Sequence, residues 1–84
     1  MVYTDGIHLI ADDLGELHQF AHGIGLKRVW FQEKHRYPHY DLTTKRMRNR
    51  ALKFGAKLVS PRELILISRR NRQRRNRQWI SNKQ

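Results

Sequence analysis

Three helix starts are written into this chain, and two of the helices stop at a glycine that leads into a β-prone run. Asp13, with Glu16 three residues on, is the carboxylate form of an N-terminal capping box. Leu14, Leu17, Phe20, Ala21 and Ile24 then recur at helical spacing. Gly25 ends that run, because glycine accepts the left-handed position after a helix without strain. Thr43 or Thr44 opens a second helix, with Met47, Ala51 and Phe54 as its apolar face and Gly55 as its stop. Ser60-Pro61-Arg62-Glu63 opens a third, with Ser at the N-cap, Pro at the first helical position and Glu two further on.

The stretches between these helices are β-prone. Residues 2–4 and 7–11 are short runs separated by Asp5-Gly6. Residues 27–32, KRVWFQ, are the best strand pattern in the chain, with Val29 and Phe31 on one face and Arg28, Trp30 and Gln32 on the other. Trp30 is expected in the core, covering a second helix layer. Pro38 cannot continue a ladder, so EKHRYPHYDL reads as a loop. Residues 57–59 make a last short strand. The order β-α-β-α-β-α predicts a small α/β unit of two or three layers, with a short, mostly parallel sheet under helices.

At 84 residues one domain is expected, and the core it can bury is a marginal one. Residues 1–67 form the α/β domain on this reading, and residues 68–84 an Arg-rich extension, helical or disordered. The chain has no cysteine, which excludes a disulfide framework, thiolate catalysis and cysteine zinc sites. No apolar run approaches the roughly 20 residues that span a bilayer, and MVYTDG is not a signal-peptide start. The expected location is the cytoplasm, with no membrane partner.

Charge is divided sharply along the chain, whose net value is +11. Residues 1–26 hold Asp5, Asp12, Asp13 and Glu16 and no Lys or Arg. All 18 Lys and Arg fall in residues 27–84, against only Glu33, Asp41 and Glu63. Arg69, Arg70, Arg72, Arg74, Arg75 and Arg77 crowd into nine positions, and Lys45, Arg46, Arg48, Arg50 and Lys53 occupy the second helix without an acid. Cations so placed repel one another, and a polyanion relieves them by exchanging its condensed counterions for Lys and Arg. A nucleic-acid partner, RNA or DNA, follows as the leading expectation. Trp30 and Tyr40, beside Arg28, Lys34 and Arg36, are candidate stacking platforms for bases.

A smaller group of residues bears on chemistry. His39-Tyr40-Asp41 precedes the second helix, and Asp5, His8 and Trp30 join it if strand ends gather at one sheet edge. Asp5 and Asp41 on a divalent metal, with His39 as general base, compose a nuclease-like site. The plainer reading makes Asp41 a helix cap or turn residue. His18 and His22, four apart on the first helix, are either a two-ligand face or the margin of an apolar stripe. No Gly-rich phosphate loop, nucleophile elbow or HExxH is present.

Residues 1–67 resemble a small bacterial and phage family, the domain of unknown function 4031. The likeness rests on Val2-Tyr3-x-Asp5, Ile10-Ala11-Asp12, Glu16-Leu17-His18-x-Phe20-Ala21 and Ile24-Gly25-Leu26-Lys27-Arg28-x-Trp30-Phe31-Gln32. It continues through Pro38-His39-Tyr40-Asp41-Leu42, Lys45-Arg46, Gly55-Ala56 and Arg62-Glu63-Leu64. Gly6 stands where the family pattern has a second Asp. The resemblance implies a compact, often phage-borne α/β unit and brings no activity with it. Separately, RRNRQRRNRQW is similar in composition to viral arginine-rich RNA-binding motifs.

Three functions follow in order. The first is a non-enzymatic, phage-encoded accessory protein that binds nucleic acid through its basic end and second helix, with no cofactor. The second is a metal-dependent nuclease or nucleotide-processing enzyme built on Asp5, His39 and Asp41, the one reading that calls for a divalent metal. The third is a phage protein that binds and modulates a host protein.

Overall fold

The computed structural model describes residues 1–33 and 37–83, with side chains described through Arg72. Its elements are β1 (Val2–Thr4), β2 (His8–Ala11), α1 (Leu14–Gly23), β3 (Tyr40–Asp41), α2 (Lys45–Lys53), β4 (Lys57–Leu58) and α3 (Pro61–Lys83). A 3-10 turn at Arg28–Trp30 lies between α1 and β3. The four strands form one sheet in the order β3-β2-β1-β4.

The three helix starts are capped as their sequences require. Asp13 accepts from the Glu16 N–H at 3.0 Å, Thr44 from Met47 at 3.1 Å and Ser60 from Glu63 at 3.1 Å. Gly25 and Gly55 follow α1 and α2 at φ 96° and 108°, the region that favours glycine.

The chain is a small α/β unit, but parallel pairing is confined to β1 and β4. β1 with β2 and β2 with β3 are antiparallel. The reason is the length of the first connection. Only Asp5, Gly6 and Ile7 separate β1 from β2, and a parallel crossover needs a dozen residues or more. Asp5 Oδ1 accepts from the N–H of Ile7 at 2.9 Å and of His8 at 2.7 Å, which closes the hairpin turn.

Strand alternation splits the core between the two faces of this sheet. Val2, Leu9, Ala11 and Tyr40 pack with Leu17 and Ala21 of α1 and Ala51 of α2. Tyr3 and Ile10 face the other way and pack with Val59 and Leu64, with Tyr37 and Ile67 against them. The result is three layers: α1 and α2, the sheet, then α3.

Residues 27–32 do not form the expected strand. Trp30 N–H bonds to Lys27 O at 2.9 Å and Phe31 N–H to Arg28 O at 3.1 Å, so the local turn takes the donors a ladder needs. Only Gln32 makes a bridge, to His39. Val29 is 84 % exposed and Trp30 46 %, so neither is core. Phe31 does pack inward, 5.3 Å from the Tyr40 ring. Phe54, expected on the apolar face of α2, is exposed after the helix end.

α3 passes residues 67 and 68 without a break, and its packing continues to Asn71. Ser68 Oγ donates to Leu64 O at 2.8 Å, and Asn71 Nδ2 donates to Ala11 O at 3.3 Å. Arg70 reaches Asp12 at 3.4 Å. The helix backbone carries on to Lys83, while Arg74, Arg75 and Arg77 lie beyond the described side chains. Lys34 and Arg36 are outside the described residues. Among those described, no helix is long and apolar enough to cross a membrane.

Candidate functional site

The register of β2 against β3 sets the site. His8 pairs with Asp41 and Leu9 with Tyr40. Because side chains alternate along a strand, Leu9 and Tyr40 enter the core beneath α1 while His8, His39 and Asp41 share the opposite face. One nitrogen from each histidine and one Asp41 oxygen all lie within 4.8 Å of one another.

Each member is held by its own partners. His8 Nδ1 lies 3.0 Å from Asp5 Oδ2. The Asp5 side chain is only 4 % exposed. Burial pushes its carboxyl upward, but the His8 N–H, the His8 ring, the Ile7 N–H and the charge on His8 outweigh that, and the net shift is downward. His39 Nδ1 lies 3.0 Å from Tyr37 O, and its Nε2 is 3.2 Å from Asp41 Oδ1. The His8 and His39 rings meet edge-on at 5.2 Å, and Tyr37 packs against both. His39 is buried, whereas Asp41 is 42 % exposed.

The Asp5 oxygens accept from two backbone N–H groups and the His8 ring. Asp5 orients His8, and it is His8 that stands opposite Asp41 in the strand register. Sequence reasoning named His8 only as a neighbour of this group. The signal was the pairing register, which a single sequence does not display.

Asp41 also lines a cavity of about 340 Å³ with Val29, Trp30, Gln32 and Thr43. Trp30 forms part of its wall, and the Lys27 ammonium lies 5.6 Å from the Trp30 ring. An aromatic wall, an amide, a hydroxyl and a carboxylate give this recess both polar and apolar sides.

Tyr40 is not available for stacking. It is 1 % exposed, and its hydroxyl lies 2.9 Å from His18 Nδ1. Burial raises the Tyr40 phenol, with Arg28 opposing the shift. His18 is lowered, first by burial and then by Arg28, with Glu33 acting the other way. His18 also meets Phe31 edge-on at 4.6 Å, so it belongs to an aromatic cluster. His22 is exposed on the same helix.

The basic residues are distributed over two helices. Lys45, Arg46, Arg48 and Lys53 are exposed on α2, and Arg50 is half-buried beside Gly25. Arg48 passes close to Gly6, at the hairpin turn that carries Asp5. On α3, Arg69 and Arg72 are exposed and line a second cavity of about 260 Å³ with Tyr37, Ile65 and Ser68. Arg70 is engaged by Asp12.

Comparison with curated proteins and with solved structures finds no match. A family model described as "Protein of unknown function (DUF4031)" matches residues 4–71, which begins at the last residue of β1, takes in β2, β3 and β4 and reaches Asn71 in α3. The hairpin turn, the His8-His39-Asp41 face and the anchored part of α3 all fall inside that match, and the chain belongs to this family of proteins of unknown function.

Proposed function

We propose that this protein binds nucleic acid, RNA ahead of DNA, through phosphate contacts from α2 and α3. The observation that carries the reading is the charge on α2. Its first turn contains Lys45, Arg46 and Arg48 and no acid, and these side chains are exposed. The N-terminal end of a helix dipole is positive and favours anions, so cations there are unfavourable unless an anion lies against them. A phosphate backbone supplies that anion and releases its counterions in the exchange. α3 adds Arg69 and Arg72 and continues as helix backbone through the arginine-rich residues to Lys83. Trp30, half exposed in its recess, offers a stacking surface for a base. None of these contacts reads base identity, since phosphate contacts position and base contacts specify.

The test is binding of the full chain to labelled hairpin RNA, single-stranded RNA and duplex DNA across a salt series. Affinity is expected to fall steeply with salt. Joint replacement of Arg46, Arg48 and Lys53 by Gln should flatten the log–log slope by roughly 0.7–0.9 for each phosphate left without its cation. Unchanged affinity and slope in that variant, and in one with the α3 arginines neutralised, would sink the reading.

A second reading, turnover of a phosphodiester or nucleotide, draws on the placement of Asp41 between the histidine pair and the Trp30 recess. It predicts metal-dependent cleavage of the same probes, lost in Asp41→Asn.

A further inference from the structure

We propose that His8, His39 and Asp41 bind a divalent transition-metal ion of the zinc class, and that Asp5 is the group that orients His8 toward it. The site is independent of nucleic-acid binding: either property can be present without the other.

His39 carries the first argument. Its Nδ1 faces the Tyr37 carbonyl at 3.0 Å, and a carbonyl only accepts, so Nδ1 holds the ring proton. Its Nε2 faces Asp41 Oδ1 at 3.2 Å, and an ionised carboxylate also only accepts. Nε2 and the Asp41 carboxylate therefore face each other, at a distance that a shared proton or a shared cation can bridge. A divalent cation coordinated by both atoms takes the place of that proton, while the Tyr37 carbonyl holds the other ring nitrogen as a metal-bound imidazole requires.

His8 carries the second. Asp5 Oδ2 at 3.0 Å accepts from the Nδ1–H, which assigns metal coordination to Nε2. Asp5 is nearly buried and anchored by two backbone N–H groups, so it fixes the ring as well as its tautomer. A carboxylate behind a ligating histidine is the usual support for a metal-bound imidazole, and raises its basicity.

Geometry and access complete the case. Zinc holds nitrogen and carboxylate ligands at about 2.0–2.2 Å, so three ligands on one ion sit closer together than the 4.8 Å limit that encloses them here. Asp41 is 42 % exposed and on a short edge strand, so its carboxylate has room to rotate inward. Two imidazoles and one carboxylate suit zinc and its first-row neighbours rather than magnesium or calcium. Three protein ligands leave a fourth position for water or a substrate oxygen, as in catalytic rather than structural zinc sites. Asp41 borders the Trp30 recess, which puts a bound phosphate or planar group within reach of that position.

The probe is the metal alone with the full chain. Calorimetric titration with Zn²⁺ at neutral pH should give one ion per chain. Co²⁺ in its place should give the intense visible absorption of a low-coordinate nitrogen–oxygen site, and paramagnetic broadening centred on His8, His39 and Asp41. His39→Gln and Asp41→Asn should abolish binding, Asp5→Asn should weaken it about 10–100-fold, and His22→Gln should leave it unchanged. The broadening map uses the unaltered chain, so it stands even if a variant fails to fold. No binding by that chain, broadening centred on His18 and His22, or full affinity in His39→Gln each overturns the proposal.

Discussion

Strands β2 and β3 support two histidine neighbourhoods back to back, and the contrast between them explains what each is fit for. On one face His18 sits against Tyr40 and Phe31, partnered by a neutral hydroxyl. On the other, His8 and His39 sit against Asp5 and Asp41. The same strands supply both, one residue out of phase: Tyr40 turns to α1 while His39 and Asp41 turn away. Burial, with the nearby Arg28, lowers the His18 imidazole, which lies half-buried against the aromatic cluster. The opposite pair faces two carboxylates instead, of which Asp41 is exposed and Asp5 is not.

The largest expected effect comes from removing the residue that builds the packed side. Tyr40→Ala should cost roughly 3–5 kcal/mol, as aromatic-to-alanine core truncations do, and urea denaturation would measure it. A loss below about 1 kcal/mol would mean that this face is not the core it resembles. Next is Asp5→Asn, which exchanges charge-assisted hydrogen bonds for weaker ones; about 1.5–3 kcal/mol should be lost at neutral pH. The Asp5 carboxyl is lowered in the folded chain, so its stabilisation is present above the ordinary value of 3.8 and lost as pH falls below it. The Asn variant should lack that acid-side loss.

His18 predicts a separate pH window. Its folded value lies below the ordinary 6.5, so on acidification the unfolded chain takes up a proton that the folded chain refuses. Stability should therefore decline as pH drops through about 6.5, and denaturation midpoints on either side of that value would show it. His18→Gln should flatten this step, at some cost at every pH because the aromatic packing around the ring goes with it. The smallest effect is expected of His22→Ala. His22 is exposed, so the change should stay within about 0.5 kcal/mol and leave the pH profile intact. A larger shift would show that His18 and His22 act as a pair.

Much of this architecture was legible from local chemistry. Asp13, Thr44 and Ser60 cap because a side-chain oxygen satisfies an N–H three residues on, and Gly25 and Gly55 follow because the chain must turn left. Such interactions span a few residues and need no knowledge of the rest of the fold. Residues 27–32 misled for the complementary reason. Val29, Trp30 and Phe31 have strand-like side chains, yet their backbone closes a turn, and only the tertiary partners of Gln32 and Phe31 reveal it. The mostly parallel sheet failed at Asp5-Gly6, a dipeptide that also signals a hairpin. For the site, Asp5, His39 and Asp41 were recognisable as polar residues near strand ends. Their division of labour was not, because it depends on His8 pairing with Asp41 across 33 positions of sequence.

Asn71 has a consequence for everything after it. Its amide is fastened to the Ala11 carbonyl on the sheet, and the helix it belongs to continues to Lys83. Successive residues of an α-helix turn by about 100°, so that single fastening fixes the angular setting of each later position relative to the body. The arginine-rich stretch is in this sense geared to the sheet. Inserting one alanine after Arg72 would keep every charge and every length nearly the same, yet swing all that follows about a third of a turn around the axis. Deleting or adding close to a full turn would restore the setting.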